Sequence, residues 1–268
     1  MQPINIMVNG LPGKMARAVA SAIKETQLHL IPFSLTGPSS HNVHPSIQLI
    51  KPAQRESKIR NITDIVRSLI CVDYTTPDSV NGNADFYCRH NLPFVMGTTG
   101  GDRAALVARV QDSEISAVIA PNMAKQIVLF QAMMTYAAHT FPTAFRGYTL
   151  EITESHQQGK KDTSGTARAM VGYFNQLGIP FEERQIKMIR DPAQQVALGV
   201  PDEALSGHGW HTYTLRSENE SVLFQFTHNV NGREIYAQGT LDAVRFLAKK
   251  MEQGEKGKVY SMIDVLKG

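Results

Sequence analysis

Strand-length apolar runs that alternate with helical stretches predict an α/β fold: a doubly wound parallel sheet, followed by a second α+β domain with an open mixed sheet. Three observations carry this. In the first half of the chain each apolar run stops at a turn built from Gly, Pro, Thr or Asn, and most of these turns lead into a segment of helical periodicity. After Asn122 a single long apolar helix breaks the alternation. Beyond it, most segments alternate apolar and polar residues, as half-buried open-sheet strands do.

Residues 4–8 form the first strand, ending at Asn9-Gly10, and Lys14 to Glu25 follows with apolar residues at helical spacing. The run Leu28 to Leu35 reads as the second strand and leads to Gly37-Pro38-Ser39-Ser40. The third, Leu69 to Tyr74, stops at Thr75-Thr76-Pro77 ahead of another helix. Phe94-Val95-Met96 ends at Gly97-Thr98-Thr99-Gly100, a helix runs from about Asp102 to Gln111, and Ala117 to Ala120 ends at Pro121-Asn122. Right-handed crossovers bring the turns at the carboxyl ends of such strands to one edge of the sheet, where a ligand crevice forms. The long helix spans Ile127 to Phe141, with Met133-Met134 read as core filling. Tyr148 to Thr153, Gln185 to Ile189, His211 to Leu215 and Val222 to Thr227 alternate as strands, and Ser164 to Leu177 is helical. Thr240 to Met251 is an amphipathic helix and Val259 to Leu266 a tail, both expected to pack on the first domain. The expected division is residues 1–125 with 240–268 as a dinucleotide-binding domain, and 126–239 as a substrate-binding and oligomerisation domain.

Composition narrows the function. A chain of 268 residues buries a sizeable core without staples. Its 2 cysteines, Cys71 in an apolar strand and Cys88 in a helix, form neither a disulfide framework nor a metal-ligand spacing. The first strand begins at Ile4, so no signal peptide precedes it, and the expected location is cytoplasmic, or an organelle stroma if a transit peptide has been removed. No apolar run has membrane-spanning length. A net charge of +3 with scattered basic residues argues against nucleic acid and favours a small anionic metabolite.

Gly10-Leu11-Pro12-Gly13-Lys14-Met15-Ala16 sits between the first strand and helix, where a dinucleotide fingerprint belongs. Gly10 permits a sharp turn, Gly13 a close approach to a pyrophosphate, and Ala16 tight helix packing, while the helix start offers free N–H groups. Pro12 removes one donor, and the pattern is not the commoner G-x-G-x-x-G. The sheet is therefore expected to be Rossmann-like. Its remaining cofactor positions are Thr36 and Ser39, Tyr74 and Thr75, Gly97, Thr98 and Thr99, and Pro121, Asn122 and Met123. No Asp or Glu ends the second strand to repel a 2′-phosphate, and Thr36 to Ser40 with Lys14 would accept one. The expected cofactor is NADPH, with NADH possible as well.

The richest polar segment is residues 151–167, a loop between a strand and a helix. His156 moves protons near neutral pH, Lys160 is a fixed cation, and Ser164-Gly165-Thr166 opens a helix where a carboxylate is favoured. The same spacing would also suit a solvated loop with a simple helix cap. The run Glu154-Ser155-His156-x-x-x-Lys160-x-Asp162-Thr163-Ser164-Gly165-Thr166-Ala167 resembles the signature loop of dihydrodipicolinate reductases, in particular their plant-type branch. Gly10-x-x-Gly13-Lys14-Met15, Gly97-Thr98-Thr99-Gly100, His228 to Arg233 and Tyr236-Ala237-x-Gly239-Thr240 extend the resemblance along most of the chain. Many bacterial members have a second His where Gln157 stands, and a Pro before Ser-Gly-Thr in a loop one residue longer. The plant-type pattern shares both features of this chain.

The resemblance implies a reductase of a small cyclic dicarboxylate in lysine biosynthesis and an assembly of two or four copies. It makes His156 the acid–base residue, Lys160 the substrate lysine, Ser164, Gly165 and Thr166 the carboxylate cradle, and Gln157 and Arg233 further substrate contacts. His208, Trp210 and His211 are read as packing residues, because no carboxylate or Cys completes a metal set, and no metal is expected. Two other readings compete. A semialdehyde or homoserine dehydrogenase relative needs a Cys in a polar turn, and a non-catalytic dinucleotide sensor would not need the loop from His156 to Lys160.

Overall fold

The structure, a computed structural model, describes residues 3–40 and 46–268. The chain divides into two compact units, Met1–Lys125 with Glu234–Gly268, and Gln126–Arg233.

In the first unit, strand β1 (Asn5–Asn9) turns at Gly10 into helix α1 (Lys14–Ile23). This helix buries Ala16, Val19, Ala20 and Ile23, the spacing of one helical face. The expected second strand is divided. Ile31-Pro32 separates β2 (His29–Leu30) from β3 (Phe33–Leu35), because Pro32 has no N–H for a ladder. Strand β2 pairs with β1, whereas β3 pairs with β4 (Gln48–Ile50) in a separate two-stranded sheet. Gly10 N donates to Leu35 O, and Leu35 N to Asn9 Oδ1, which still brings the end of β3 beside the glycine turn.

Helix α2 (Arg55–Ile65) follows. It carries too few apolar residues to stand out in the sequence, since it buries only Ile59 and Ile62. Then come β5 (Leu69–Asp73), α3 (Val80–Arg89), β6 (Phe94–Met96), α4 (Arg103–Gln111) and β7 (Ala117–Ile119). All five residues of β5 are buried, as a central parallel strand requires.

The second unit and its margin then contribute α5 (Lys125–Thr140), β8 (Thr149–His156), α6 (Gly165–Gln176), β9 (Lys187–Ile189), α7 (Pro192–Leu198), β10 (His208–Arg216) and β11 (Leu223–Asn231). Helix α8 (Glu234–Glu252) returns to the first unit, where Ala237, Leu241, Val244 and Leu247 are buried. The tail is more ordered than its sequence suggested: β12 (Val259–Tyr260) adds to the sheet edge, and α9 (Met262–Lys267) starts in a capping box of Ser261 and Asp264. The sheet order is β12-β7-β6-β5-β1-β2, with every pair parallel.

The sheet of the second unit, in the order β11-β10-β8-β9, is mixed: β10 runs antiparallel to β8 and β11, and β9 parallel to β8. Helix α6 packs Ala167, Met170 and Phe174 on Ile152, Tyr213 and Leu215. Met134 joins this core, but Met133 is 61% exposed, which corrects the reading of the pair as core. Adjacent helical positions point about 100° apart, so only one of them faces the sheet. Both cysteines are free and buried.

Candidate active site

At the carboxyl ends of β1, β3 and β5, a cavity of about 290 Å³ is lined by the Gly10–Gly13 turn, Thr36, Ser40, Arg55, the Tyr74–Thr76 turn and Asn83. Gly10 has φ +103°, and a Cβ there would lie 2.1 Å from Tyr74 O. Only glycine fits. Leu11 is buried, its N donating to Ser34 Oγ and its O accepting from Thr36 Oγ1, so the turn is fixed to β3. Pro12 lines the cavity, while Lys14 and Ser39 are exposed and Met15 is half-buried, all three outside the lining. The cation of this wall is Arg55, whose guanidinium lies 5.4 Å from the Phe86 ring centre and donates to Asn83 Oδ1. Among the described residues, no carboxylate lines the cavity.

Asp73 organises the neighbouring turns. Fully buried, it accepts at Oδ1 from Thr75 N, Thr75 Oγ1 and Thr98 Oγ1, and at Oδ2 from Asn83 Nδ2 and Tyr87 OH. Five donors satisfy a carboxylate without a cation. Burial, with Asp73 alongside, pushes the Tyr87 phenol well above its usual range, so it remains a donor. Tyr74 OH meets Thr240 Oγ1 at 2.6 Å, and its ring crosses Gly97, where a Cβ would come within 2.4 Å. Thr99 and Pro121 are exposed, Asn122 Oδ1 accepts from Ala124 N, and Met123 is buried. Asp73 and Arg55 escaped the sequence reading, although an acidic residue ending an otherwise apolar strand was a visible signal for Asp73.

The second cluster gathers where β8 ends and α6 begins. Ser164 caps α6, its Oγ accepting from Ala167 N and lying 2.8 Å from His211 Nε2. Ser164 N donates to Glu154 Oε2 at 3.0 Å. Glu154 is fully buried and forms an ion pair with Arg190. Burial opposes its charge, but hydrogen bonds from His211, Arg190 and Ser164 prevail and hold the carboxyl far below the usual carboxylate range. His156 Nδ1 lies 3.0 Å from His208 O; a carbonyl only accepts, so Nδ1 carries the proton and the buried Nε2 keeps a free lone pair. That Nε2 is 3.9 Å from Glu154 Oε2, and His211 Nε2 is 3.6 Å from the same oxygen. Gly209 admits the His156 ring, because a Cβ there would lie 2.9 Å from Cε1.

The expectation that no carboxylate accompanies His211 is therefore corrected. The cross-strand pair His211↔Glu154 supplies the carboxylate that is distant in sequence. His208, in contrast, is buried and bonded, donating from Nδ1 to Ala204 O and meeting Ser155 Oγ at Nε2. Trp210 Nε1 donates to Asn231 Oδ1. Glu154, His156 and His211 bring ligand atoms within 4.8 Å of one another, but both carboxylate oxygens are already engaged and the Arg190 cation occupies the position of a counter-ion.

Lys160 is half-buried, its N bonded to Gln157 O, and its ammonium makes no ion pair among the described residues. Gln157 is half-buried as well. Gly165 and Thr166 are the first residues of α6, with N–H groups that the helix itself cannot satisfy. The Arg233 guanidinium lies beside Gly207, at the head of β10. Both cysteines are buried in the first unit, so no thiol reaches a polar turn.

Burial, then repulsion by His211, lowers the pKa of His156 to about 4, and the same causes lower that of His228, stacked 4.6 Å from His211. Unfolded, each would titrate near 6.5. Between those values the unfolded chain binds more protons, so stability rises with pH. Acidification from 6.5 towards 4 is expected to lower Tm by several degrees, with Glu154 adding a further loss only below its unfolded value of 4.5. A Tm series that stayed flat across this window would contradict the assignment.

The family profile "Dihydrodipicolinate reductase, N-terminus" matches residues 4–123, and "Dihydrodipicolinate reductase, C-terminus" matches residues 126–266. The chain belongs to the dihydrodipicolinate reductase family. Its plant-type character agrees with its relatives. It is 46% identical over 268 residues to "Probable 4-hydroxy-tetrahydrodipicolinate reductase 2, chloroplastic" of Oryza sativa subsp. japonica, covering 98% of this chain and 82% of that one. It is 47% identical over 270 residues to "4-hydroxy-tetrahydrodipicolinate reductase 1, chloroplastic" of Arabidopsis thaliana, covering 98% and 78%. Among solved structures, a dipicolinate-bound dihydrodipicolinate reductase from Paenisporosarcina sp. TG-14 shares the fold of this reductase-family chain, with a TM-score of 0.67, 20% identity, and 98% and 99% of the two chains covered. No helix among the described residues is long and apolar enough to cross a membrane.

Proposed function

We propose that this chain is a 4-hydroxy-tetrahydrodipicolinate reductase of lysine (diaminopimelate) biosynthesis, using NADPH in preference to NADH. The observation that carries the reading is the cluster at the start of α6, where a neutral imidazole with a free Nε2, an unpaired lysine and open helix N–H groups share one loop. The substrate is a cyclic dicarboxylate, and the loop matches its two needs, anion binding and proton management.

Lys160 and the N–H groups of Gly165 and Thr166 hold one carboxylate, where the helix dipole favours negative charge. Arg233 takes the other, and Gln157 adds a polar contact. His156, neutral at pH 7, accepts at Nε2 the ring proton lost in the dehydration and returns it as the reduced ring is completed, while the leaving hydroxide takes its proton from solvent to depart as water. Glu154, ionised nearby, stabilises the imidazolium in the interval. The nicotinamide cofactor, when bound, supplies the hydride that the substrate ring accepts.

The residues present fit the cofactor. The Gly10–Gly13 turn opens a helix towards the cavity, and Arg55, in a wall without carboxylates among the described residues, is the partner for a 2′-phosphate. Removing one charge-assisted contact costs about 1.5–3 kcal/mol, so Arg55→Met is expected to raise KM for NADPH about 10-fold or more while leaving that for NADH nearly unchanged. Equal effects on both cofactors would refute this role.

Leu129, Met133 and Tyr136 form an exposed stripe along α5, and β11 exposes Leu223 and Phe224. We assign these to contacts between copies in a homodimer or homotetramer, measurable by light scattering. The reducing setting implied by two free thiols, together with the chloroplastic relatives, places the activity in plastid stroma or cytoplasm. The test of the reaction is oxidation of NADPH on addition of freshly generated 4-hydroxy-tetrahydrodipicolinate. NADPH that binds but persists would leave only a sensor.

A further inference from the structure

The loop that carries Lys160 is held from outside. It leaves β8 at His156, turns once through the bond from Lys160 N to Gln157 O, and enters α6 at Ser164. Its middle is gripped by Arg190, just beyond β9, whose Nε donates to Lys160 O at 2.8 Å and whose Nη2 donates to Asp162 O at 3.3 Å. The same Nη2 pairs with the Glu154 carboxylate, and Nη1 donates to Glu154 O and Ile189 O. The loop's far end is held by the other oxygen of that carboxylate, which accepts from Ser164 N. Its near end is held from α7, where the buried Gln195 donates from Nε2 to His156 O at 2.7 Å.

We propose that Arg190 is a positioning residue for substrate binding: with Glu154 it forms a buried clamp that sets the backbone of residues 157–164 and thereby places the Lys160 ammonium for a substrate carboxylate. The clamp needs a guanidinium rather than a bare charge. A guanidinium carries five N–H donors in a rigid fork and can serve two loop carbonyls and a carboxylate at once; an ammonium is a compact point charge and cannot span them. The ion pair alone is weak evidence of stabilisation, because two charges removed from water recover little net energy. The arrangement makes sense as a device that orders a polar loop, whose exposed residues would otherwise be free to move.

The inference rests on the reading of Lys160 as the substrate lysine, and the experiment separates the two. Arg190→Lys keeps the charge opposite Glu154 but loses the fork. Its KM for 4-hydroxy-tetrahydrodipicolinate is expected to rise about 10-fold or more, with KM for NADPH within about two-fold of the parent. Amide hydrogen exchange of residues 157–164 in the free chain, measured alongside, is expected to quicken while exchange in α6 and β10 stays at the parent rate. Glu154→Gln, which keeps shape and removes the charge, is the second variant should Arg190→Lys fold poorly, and the same loop-specific exchange is expected of it.

Parent-like substrate KM and loop exchange in Arg190→Lys would overturn the clamp. Faster exchange throughout the second unit, with kcat falling and substrate KM unchanged, would also overturn it and mark a general stability role. If the parent chain oxidises no NADPH, the proposed reaction fails, and loop exchange alone then decides the clamp.

Discussion

Lys160→Ala is expected to lower kcat/KM for 4-hydroxy-tetrahydrodipicolinate about 100-fold or more, with NADPH affinity unchanged. The ammonium has no ion-pair partner among the described residues, so its removal strands no carboxylate in the free chain and should hardly alter stability. What disappears is the cation beside a helix start that faces a doubly charged ligand. A charge-assisted contact is worth about 1.5–3 kcal/mol, and more where water is excluded, which gives the stated loss. Steady-state kinetics with each reactant varied in turn, and nucleotide binding followed by fluorescence, check both halves of this expectation. Near-normal turnover would remove Lys160 from the site.

Gly10→Ala is expected to abolish nucleotide binding and to destabilise the first unit, lowering Tm by several degrees. The residue sits at φ +103°, where an L side chain costs about 1–3 kcal/mol, and its Cβ would lie 2.1 Å from a backbone oxygen that cannot step aside. Relief would require the turn to separate from Tyr74, breaking the bonds from Gly10 N to Leu35 O and from Gly13 N to Gly10 O that shape the cavity. Gly82→Ala, in α3 of the same unit, is the matched control. Its Cβ would meet nothing within 4 Å, and its φ is ordinary, so binding and Tm should persist. Calorimetric titration with NADPH and thermal unfolding of the two variants measure the contrast.

Much of this was legible from the chain alone, because the features concerned are local. A strand that ends in Gly10, and a helix that opens at Ser164 behind a His and a Lys, announce themselves by spacing, and the structure places these residues at strand ends and a helix start. Features that depend on pairing were not legible. Glu154 and His211 meet only because β8 and β10 pair in one register, which a one-residue slip would have undone. Arg190 reaches back from beyond α6 to a loop it does not adjoin in sequence, and Arg55 enters the nucleotide cavity from a helix too polar to be noticed. Pro32 was visible, but its consequence, a strand divided between two sheets, depended on the partner strand β4.

The proposed reaction moves a hydride from the nicotinamide ring to the ring of a cyclic dicarboxylate. The most direct measurement uses NADPH deuterated at C4 of the nicotinamide on the transferred face, with freshly generated 4-hydroxy-tetrahydrodipicolinate, and mass spectrometry of the product. The expected product is tetrahydrodipicolinate that carries deuterium on a ring carbon, formed about 100-fold more slowly at low substrate when Lys160→Ala replaces the parent. Product free of the label, or labelled cofactor that stays intact beside consumed substrate, would contradict it.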